Sequence, residues 1–234
     1  MKERRIIGVC GVAGSGKDTL ADFLCKERGF CKIALADPMK RAAQEWFEFS
    51  DAQLWGPSEL RNQIDKRYTR KCPSCGGIGM YKIAGGVTCQ VCEGAGEERL
   101  SPRTVLQKLG TEFGRACYPD LWTNITMRTA HAVLNLNKHY IQNRGAVSGN
   151  FTESHYAGVV IPDCRFRNEI EAIKANGGYT YRIKRDAAGL KGNAALHASE
   201  KELQSLPSEL FNAEIDNNGT LEEFYINIDK VLSL

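Results

Sequence analysis

The chain has 234 residues, of which 42% are hydrophobic and 25% charged, with a formal net charge of +3. That size suits one α/β domain with an insertion and a buried core. The charge is too small to imply nucleic acid or membrane as a partner, and no apolar run reaches the roughly 18 residues of a membrane span.

The basic start, Met1 to Arg5, leads into an apolar stretch that meets a glycine loop, so Arg5–Cys10 reads as a buried strand rather than a signal peptide. Lys17 to Arg28 carries Leu20, Ala21, Phe23 and Leu24 at helical spacing and stops at Gly29. Cys31 to Ala36 is a second apolar strand. Asp37 then caps a helix with Pro38 at its first position and one face made of Met39, Ala42, Ala43, Trp46 and Phe47.

Pro57 to Arg70 is polar, and residues 72–96 are rich in glycine and cysteine. Ser101-Pro102 opens another helix, and a further one runs from after Asp120 to about Tyr140. Asn143 to Tyr156 reads as a loop, and Gly158–Ile161 as a strand buried on both faces, ending in Pro162-Asp163. A helix follows to Asn176, then a strand over Tyr179–Lys184, a polar segment from Arg185 to Pro207, and a short strand at Ala213–Asp216. Thr220-Leu221-Glu222-Glu223 is a capping box opening the last helix. Strands alternating with helices predict an α/β fold with five parallel strands covered on both faces.

Gly11-x4-Gly16-Lys17 between a strand and a helix is the context of a phosphate-binding loop, or P-loop. Glycines let backbone N–H groups turn inward, the helix dipole adds positive potential, and Lys17 reaches phosphate oxygens. The residues expected on ATP are Gly14, Ser15, Gly16, Lys17, Asp18 and Thr19. Asp18 stands where Ser or Thr usually ligates Mg2+, so either Asp18 serves the magnesium or Thr19 contacts a phosphate. Asp163, at the carboxyl end of its strand, reads as a Walker-B-like carboxylate or as a helix cap.

Cys72-x2-Cys75-x-Gly77-x-Gly79 and Cys89-x2-Cys92-x-Gly94-x-Gly96 are two copies of one motif with 13 residues between the inner cysteines. Four thiolates in two chelating pairs suit a closed, structural Zn2+ site with no open position for catalysis. Nine cysteines in all, an odd count, fit a reducing cytosol better than a disulfide framework. The two half-motifs resemble the cysteine-rich zinc domain of J-domain co-chaperones. That resemblance covers residues 72–96, inside an insertion expected at 70–98 within a kinase domain expected to span residues 1–234.

The rest of the chain resembles the phage deoxynucleoside monophosphate kinases. The likeness rests on Gly-Lys-Asp-Thr at 16–19, Asp37-Pro38-Met39-Lys40, Arg103-x3-Gln107-x-Leu109-Gly110-Thr111-Glu112, Trp122, Pro162-Asp163-x-Arg165-x3-Glu169 and Asn217-x-Gly219-Thr220. It implies transfer of the ATP γ-phosphoryl to a deoxynucleoside monophosphate in the cytoplasm, the host's if the gene is a phage's, with Lys17, Asp163 and Arg165 catalytic. It places Ala13, Met39, Lys40, Arg61, Arg103, Gly110, Thr111, Trp122, Asp163, Arg165 and Glu169 around the acceptor. Several guanidinium groups suit two adjacent polyanions.

Trp122 reads equally well as a core residue, the arginines as surface residues, and Asn217–Gly219 as an ordinary turn. His197 to Glu202 contains a capping box, with a lid role as the other reading. A homodimer is left open. The rival functions are a dephospho-coenzyme-A-kinase-like enzyme and a zinc-dependent module for nucleic acid or protein. Against the latter, Lys82 is the sole basic residue between Cys72 and Gly96.

Overall fold

The computed structural model describes residues 5–81, 86–136, 138–141, 146–149, 156–186, 188, 202–203 and 205–232. In chain order its first elements are β1 (Arg5–Cys10), α1 (Lys17–Arg28), β2 (Phe30–Lys32), α2 (Asp37–Phe47), α3 (Asp51–Trp55) and α4 (Ser58–Asn62). Then come β3 (Thr69–Lys71), β4 (Met80–Tyr81), β5 (Val87–Thr88), β6 (Glu97–Arg99), α5 (Pro102–Gln107) and a π-helical stretch, Lys108–Arg115. The last are α6 (Leu121–Asn135), β7 (His139–Ile141), β8 (Ala146–Ser148), β9 (Gly158–Cys164), α7 (Arg167–Ala175), β10 (Tyr179–Lys184), β11 (Ala213–Asp216) and α8 (Leu221–Leu232). The chain divides into two compact units, Met1–Pro38 with Cys117–Leu234, and Met39–Ala116.

The first unit is built on a five-stranded sheet in the order β11-β10-β1-β9-β2. Every pairing in it is parallel, as the alternation of strands and helices predicts. Ile7, Val9, Val160, Ile183 and Ile215 from the strands pack with Leu20 and Leu24 of α1 and Phe224 and Ile228 of α8. On β1, a side chain at Gly8 would lie 2.4 Å from Ile173 of α7, so glycine is what lets that helix sit close to the central strand.

Local signals place several helix ends. Gly29 closes α1 in the left-handed region (φ 69°), its N–H bonded to the Leu24 carbonyl. Thr220 and Glu223 exchange reciprocal hydrogen bonds of 3.2 and 2.7 Å at the start of α8. In the second unit, Ser101 caps α5 with Pro102 next to it.

Three expectations need correction. Strand β2 ends at Lys32 rather than Ala36, because the Leu35 and Ala36 amides turn away from the ladder to the Asp163 carboxylate. Strand β9 runs through Pro162 to Cys164, because a bulge against β1, where Gly8 faces Ile161 but Cys10 faces Cys164, absorbs the proline that lacks an N–H. Helix α6 stops at Asn135 instead of about Tyr140, since His139–Ile141 pairs antiparallel with Ala146–Ser148, inside the segment expected to be a loop.

The second unit also has a short helix, α4, inside the polar Pro57–Arg70 stretch, and another, α3, just before it. Ser50 and Gln53 form a capping box that starts α3. Residues 197–201, where the other capping box was read, lie outside the described residues. No helix among the described residues is long and apolar enough to cross a membrane.

Candidate nucleotide site and metal centre

At the carboxyl end of β1 the chain turns through Gly11, Gly14 and Gly16, all with positive φ (152°, 77° and 105°). Those angles strain any side-chain-bearing residue. Here they turn the backbone so that α1 begins at Lys17, whose Nζ donates to the Val12 carbonyl at 2.7 Å. Ser15 is fully buried, and its N–H closes back on Val12 at 3.1 Å. Asp18 has an 84% exposed side chain and lies 3.9 Å from Lys32, while Thr19 is half-buried in the same first turn. Two oxygen-bearing side chains therefore stand at a helix N-terminus, a donor set that fits a phosphate-bound Mg2+.

Two neighbouring loops are stitched to this turn. The Asn217 amide donates to the Ser15 carbonyl at 2.7 Å, and the Arg185 guanidinium donates to the Gly14 carbonyl at 3.2 Å. The Asp186 N–H donates to the Asn218 side chain at 2.8 Å, joining the loop after β10 to the loop after β11. A cavity of about 240 Å³ opens beside them, lined by Gly11, Val12, Arg182, Lys184, Arg185 and Leu203. Glu214 pairs with Arg182 and Lys184, and the Lys184 contact holds its carboxyl below the usual range. A larger cavity of about 340 Å³, lined by Phe23, Lys26, Tyr225 and Asp229 among others, lies at the opposite end of α1 and has no phosphate-binding element.

Asp163 bridges two backbone donors, Leu35 at 2.9 Å and Ala36 at 3.0 Å, so it caps the turn into α2 rather than the helix that follows it. Asp37 is buried and accepts from the Ala34 N–H at 3.2 Å and from the Tyr140 hydroxyl at 2.5 Å. Burial and the Asp37 charge raise the Tyr140 phenol well above its ordinary pKa, which keeps it a donor. Thus three consecutive amides, Ala34 to Ala36, are held by two carboxylates. The buried Glu169 accepts from the Arg165 and Phe166 amides at 2.6 and 3.0 Å, the capping contact of α7. Trp122 is buried in α6, at 8% exposure.

Of the other residues expected around the acceptor, Ala13 belongs to the P-loop, and Met39, Lys40, Arg61, Arg103, Gly110 and Thr111 belong to the second unit. Lys40 lies 5.6 Å from the Trp55 ring centroid. Arg61 donates to the Gly56 carbonyl at 2.9 Å, and Arg103 donates to the Asn62 side chain. Arg67 pairs with Asp65 and Arg70 with Glu98. Gly110 and Thr111 fall inside the π-helical stretch, where a side chain at Gly110 would come within 2.8 Å of the Met39 sulfur. Such stretches are rare and occur frequently at functional sites.

Also in the second unit, the sulfurs of Cys72, Cys75, Cys89 and Cys92 lie within 4.8 Å of one another, and all four residues are buried. The Cys72–Cys89 and Cys75–Cys92 separations are 3.8 and 3.7 Å. A tetrahedron with Zn–S bonds of about 2.3 Å has edges of about 3.8 Å, which these two separations match, so the cluster could hold zinc.

The two halves mirror each other. Gly79 and Gly96 amides donate to Cys75 and Cys92 sulfurs at 3.2 and 3.3 Å, and Cys89 and Cys72 amides donate to Gly79 and Gly96 carbonyls, both at 2.9 Å. Burial works to raise the Cys89 thiol, but the Tyr81 hydroxyl and nearby backbone amides pull it down to about 6. Elsewhere burial pushes Cys31 up to about 12, as expected of an inert core thiol.

No family model matches the chain. A protein of Acanthamoeba polyphaga mimivirus, named "Putative deoxynucleotide monophosphate kinase", is 34% identical over 223 residues, which is 95% of this chain and 93% of that protein. The chain belongs to the deoxynucleotide monophosphate kinase family. A crystal structure titled TT1252 from Thermus thermophilus has a TM-score of 0.48 at 17% identity over 99% of this chain and 98% of its own, a likeness too loose to carry weight.

The contacts of Tyr140 and Arg185 are not anticipated by the sequence, and Asn217 reads there as part of an ordinary turn. The His139-Tyr140-Ile141 aromatic and β-branched run was the available signal for β7. The bonds from Asn217 and Arg185 to the P-loop join segments 202 and 171 residues apart, and no local pattern announces them.

Proposed function

We propose that the protein transfers the γ-phosphoryl group of ATP to the 5′-phosphate of a deoxynucleoside monophosphate, giving ADP and the deoxynucleoside diphosphate. The end-to-end similarity to the mimivirus protein carries this reading. In it, residues 1–234 form the kinase domain and residues 70–98 an inserted zinc module.

The glycine turn over Gly14 to Lys17 and the Lys17 ammonium bind the β- and γ-phosphates. Asp18 or Thr19 holds Mg2+, which when bound neutralises phosphate charge. Lys40, Arg61, Arg103 and Arg165 supply positive charge to the acceptor phosphate and to the moving phosphoryl group, where charge develops in the transition state. Asp163 and Glu169 keep the Ala34–Ala36 turn and the start of α7 in place, with Met39, Gly110, Thr111 and Trp122 shaping the acceptor site and Ala13 facing it.

The test is a coupled ADP-release assay with Mg·ATP and a panel of deoxynucleoside monophosphates. Turnover of at least one of them is expected. Failure on all of them, with phosphorylation of an alcohol such as dephospho-coenzyme A, overturns the reading.

A further inference from the structure

We propose that zinc on Cys72, Cys75, Cys89 and Cys92 works as a remote clamp that holds Arg61 and Arg103 together at the other end of a β-ribbon. The proposal rests on the function above only in assigning that arginine pair to the acceptor phosphate.

The ribbon is held by backbone bonds along its length, interrupted once by the single turn Lys66–Tyr68. It begins where the Asp65 amide donates to the Leu100 carbonyl at 2.9 Å and the Leu100 amide to the Tyr68 carbonyl at 3.2 Å. It continues through the antiparallel pairs Thr69–Arg99, Arg70–Glu98 and Lys71–Glu97. It ends at the metal centre, where the Cys72 amide meets the Gly96 carbonyl at 2.9 Å. Its middle is solvent-exposed, with β3 exposed along its whole length. The near end is anchored, since Tyr68 and Leu100 pack against the cluster of Ala43, Phe49, Leu54 and Val105. A lone two-stranded ribbon is marginal in water, so the fastening at the far end decides whether it stays zipped.

What the near end positions is specific. Asn62 and Arg103 each lie three residues outside the first rung, Asp65–Leu100. There the Arg103 guanidinium donates to the Asn62 side chain, and Arg61, next in sequence to Asn62, is turned onto the Gly56 carbonyl. The Arg103–Asn62 contact joins residues separated by 41 positions. A structureless loop of that length is rare and costs closure entropy; four thiolates on one ion close it from within. The metal centre therefore acts through the ribbon on the spacing of two cations, while its four-sulfur shell leaves no open position for chemistry.

The experiment compares full-length zinc-loaded protein with zinc-free protein, prepared by chelation and independently as Cys75→Ser. Cobalt substitution reports occupancy through its thiolate absorption. Zinc loss should raise hydrogen exchange at the Asp65 and Leu100 amides at least tenfold, leave exchange in β1 and β9 unchanged, and raise the acceptor KM at least fivefold with the ATP KM within twofold. Asn62→Leu, which breaks the Arg103 contact but keeps the thiols, should raise the acceptor KM with zinc content intact. Unchanged protection at Asp65 and Leu100 in zinc-free protein overturns the clamp. Lost protection with an unchanged acceptor KM upholds the clamp and overturns the assignment of the arginines to the acceptor.

Discussion

The side-chain amide of Asn217 reaches across 202 residues of sequence to donate a 2.7 Å hydrogen bond to the carbonyl of Ser15. It also occupies the space beside Gly16, where an added side chain would lie 2.4 Å from the amide nitrogen. One residue after β11 thus fixes both the orientation of a P-loop peptide and the glycine that follows it. Asn217→Ala should raise the ATP KM about tenfold, roughly 1.4 kcal/mol, which is the scale of one such bond. The acceptor KM should hold. Asn227→Ala, which removes a bond to the Asp216 carbonyl in the same junction, is the control. An ATP KM within twofold of wild type in Asn217→Ala would count against a positioning role.

Lys17→Ala should leave the melting temperature near that of the parent and cut turnover by about 100- to 1000-fold, the usual loss when one transition-state donor is removed. Its bond to the Val12 carbonyl is 2.7 Å long and lies at the rim of the loop, so little packing is lost. ADP release under saturating substrates is the measurement. Near-parental turnover would remove Lys17 from the chemistry.

Alkaline stability should report the Tyr140–Asp37 contact. Burial and the neighbouring carboxylate raise the phenol above the ordinary value of 10.0. A raised folded-state pKa adds stability that is intact below pH 10.0 and is lost as the pH rises above it. Denaturant melts between pH 9 and 11.5 should show a slope approaching about 1.4 kcal/mol per pH unit from this group. Tyr140→Phe should flatten that slope and cost about 1–3 kcal/mol at neutral pH, since Asp37 stays buried with one donor fewer. An unchanged alkaline slope in the variant would contradict the contact.

Gly79→Ala should weaken metal binding although every ligand remains. Its φ is +82°, and a side chain there would lie 2.3 Å from the Gly94 backbone carbonyl. The mirror position, Gly96, meets the Gly77 carbonyl at 2.5 Å. Competition with a chromophoric chelator should show at least a tenfold loss of zinc affinity, against no loss in Gly76→Ala, which meets nothing within 4 Å but shares the positive φ. Equal affinities for the two variants would mean that the crossing of the halves does not matter.

These features differ in how far the sequence discloses them, and range decides it. The helix starts at Gly16-Lys17, Ser101-Pro102 and Thr220 with Glu223, and the clustering of the paired CxxC motifs, are read correctly because the physics that selects them acts within a few residues. Ser50 with Gln53 carries the same kind of local signal, a capping box that the sequence reading passed over. Pro162 misleads, since proline argues for the end of a strand unless a bulge takes it up, and the bulge exists only in register with β1. The partners of Asp163, Asn217 and Arg185 come from distant segments, so the residue types of the candidate site were legible while the bonds that orient them were not.

The strand order also sets a timetable for synthesis. The two neighbours of β1, β9 and β10, are encoded roughly 150 and 170 residues after it. At about 5–20 residues per second the ribosome needs roughly 7–30 s to supply them. Throughout that interval the apolar Arg5–Cys10 segment has neither of its partner strands, and the glycine turn beyond it has no sheet to hold its shape. A nascent chain stopped before residue 158 therefore carries the whole Gly16-Lys17 signature without either strand that flanks β1 in the sheet.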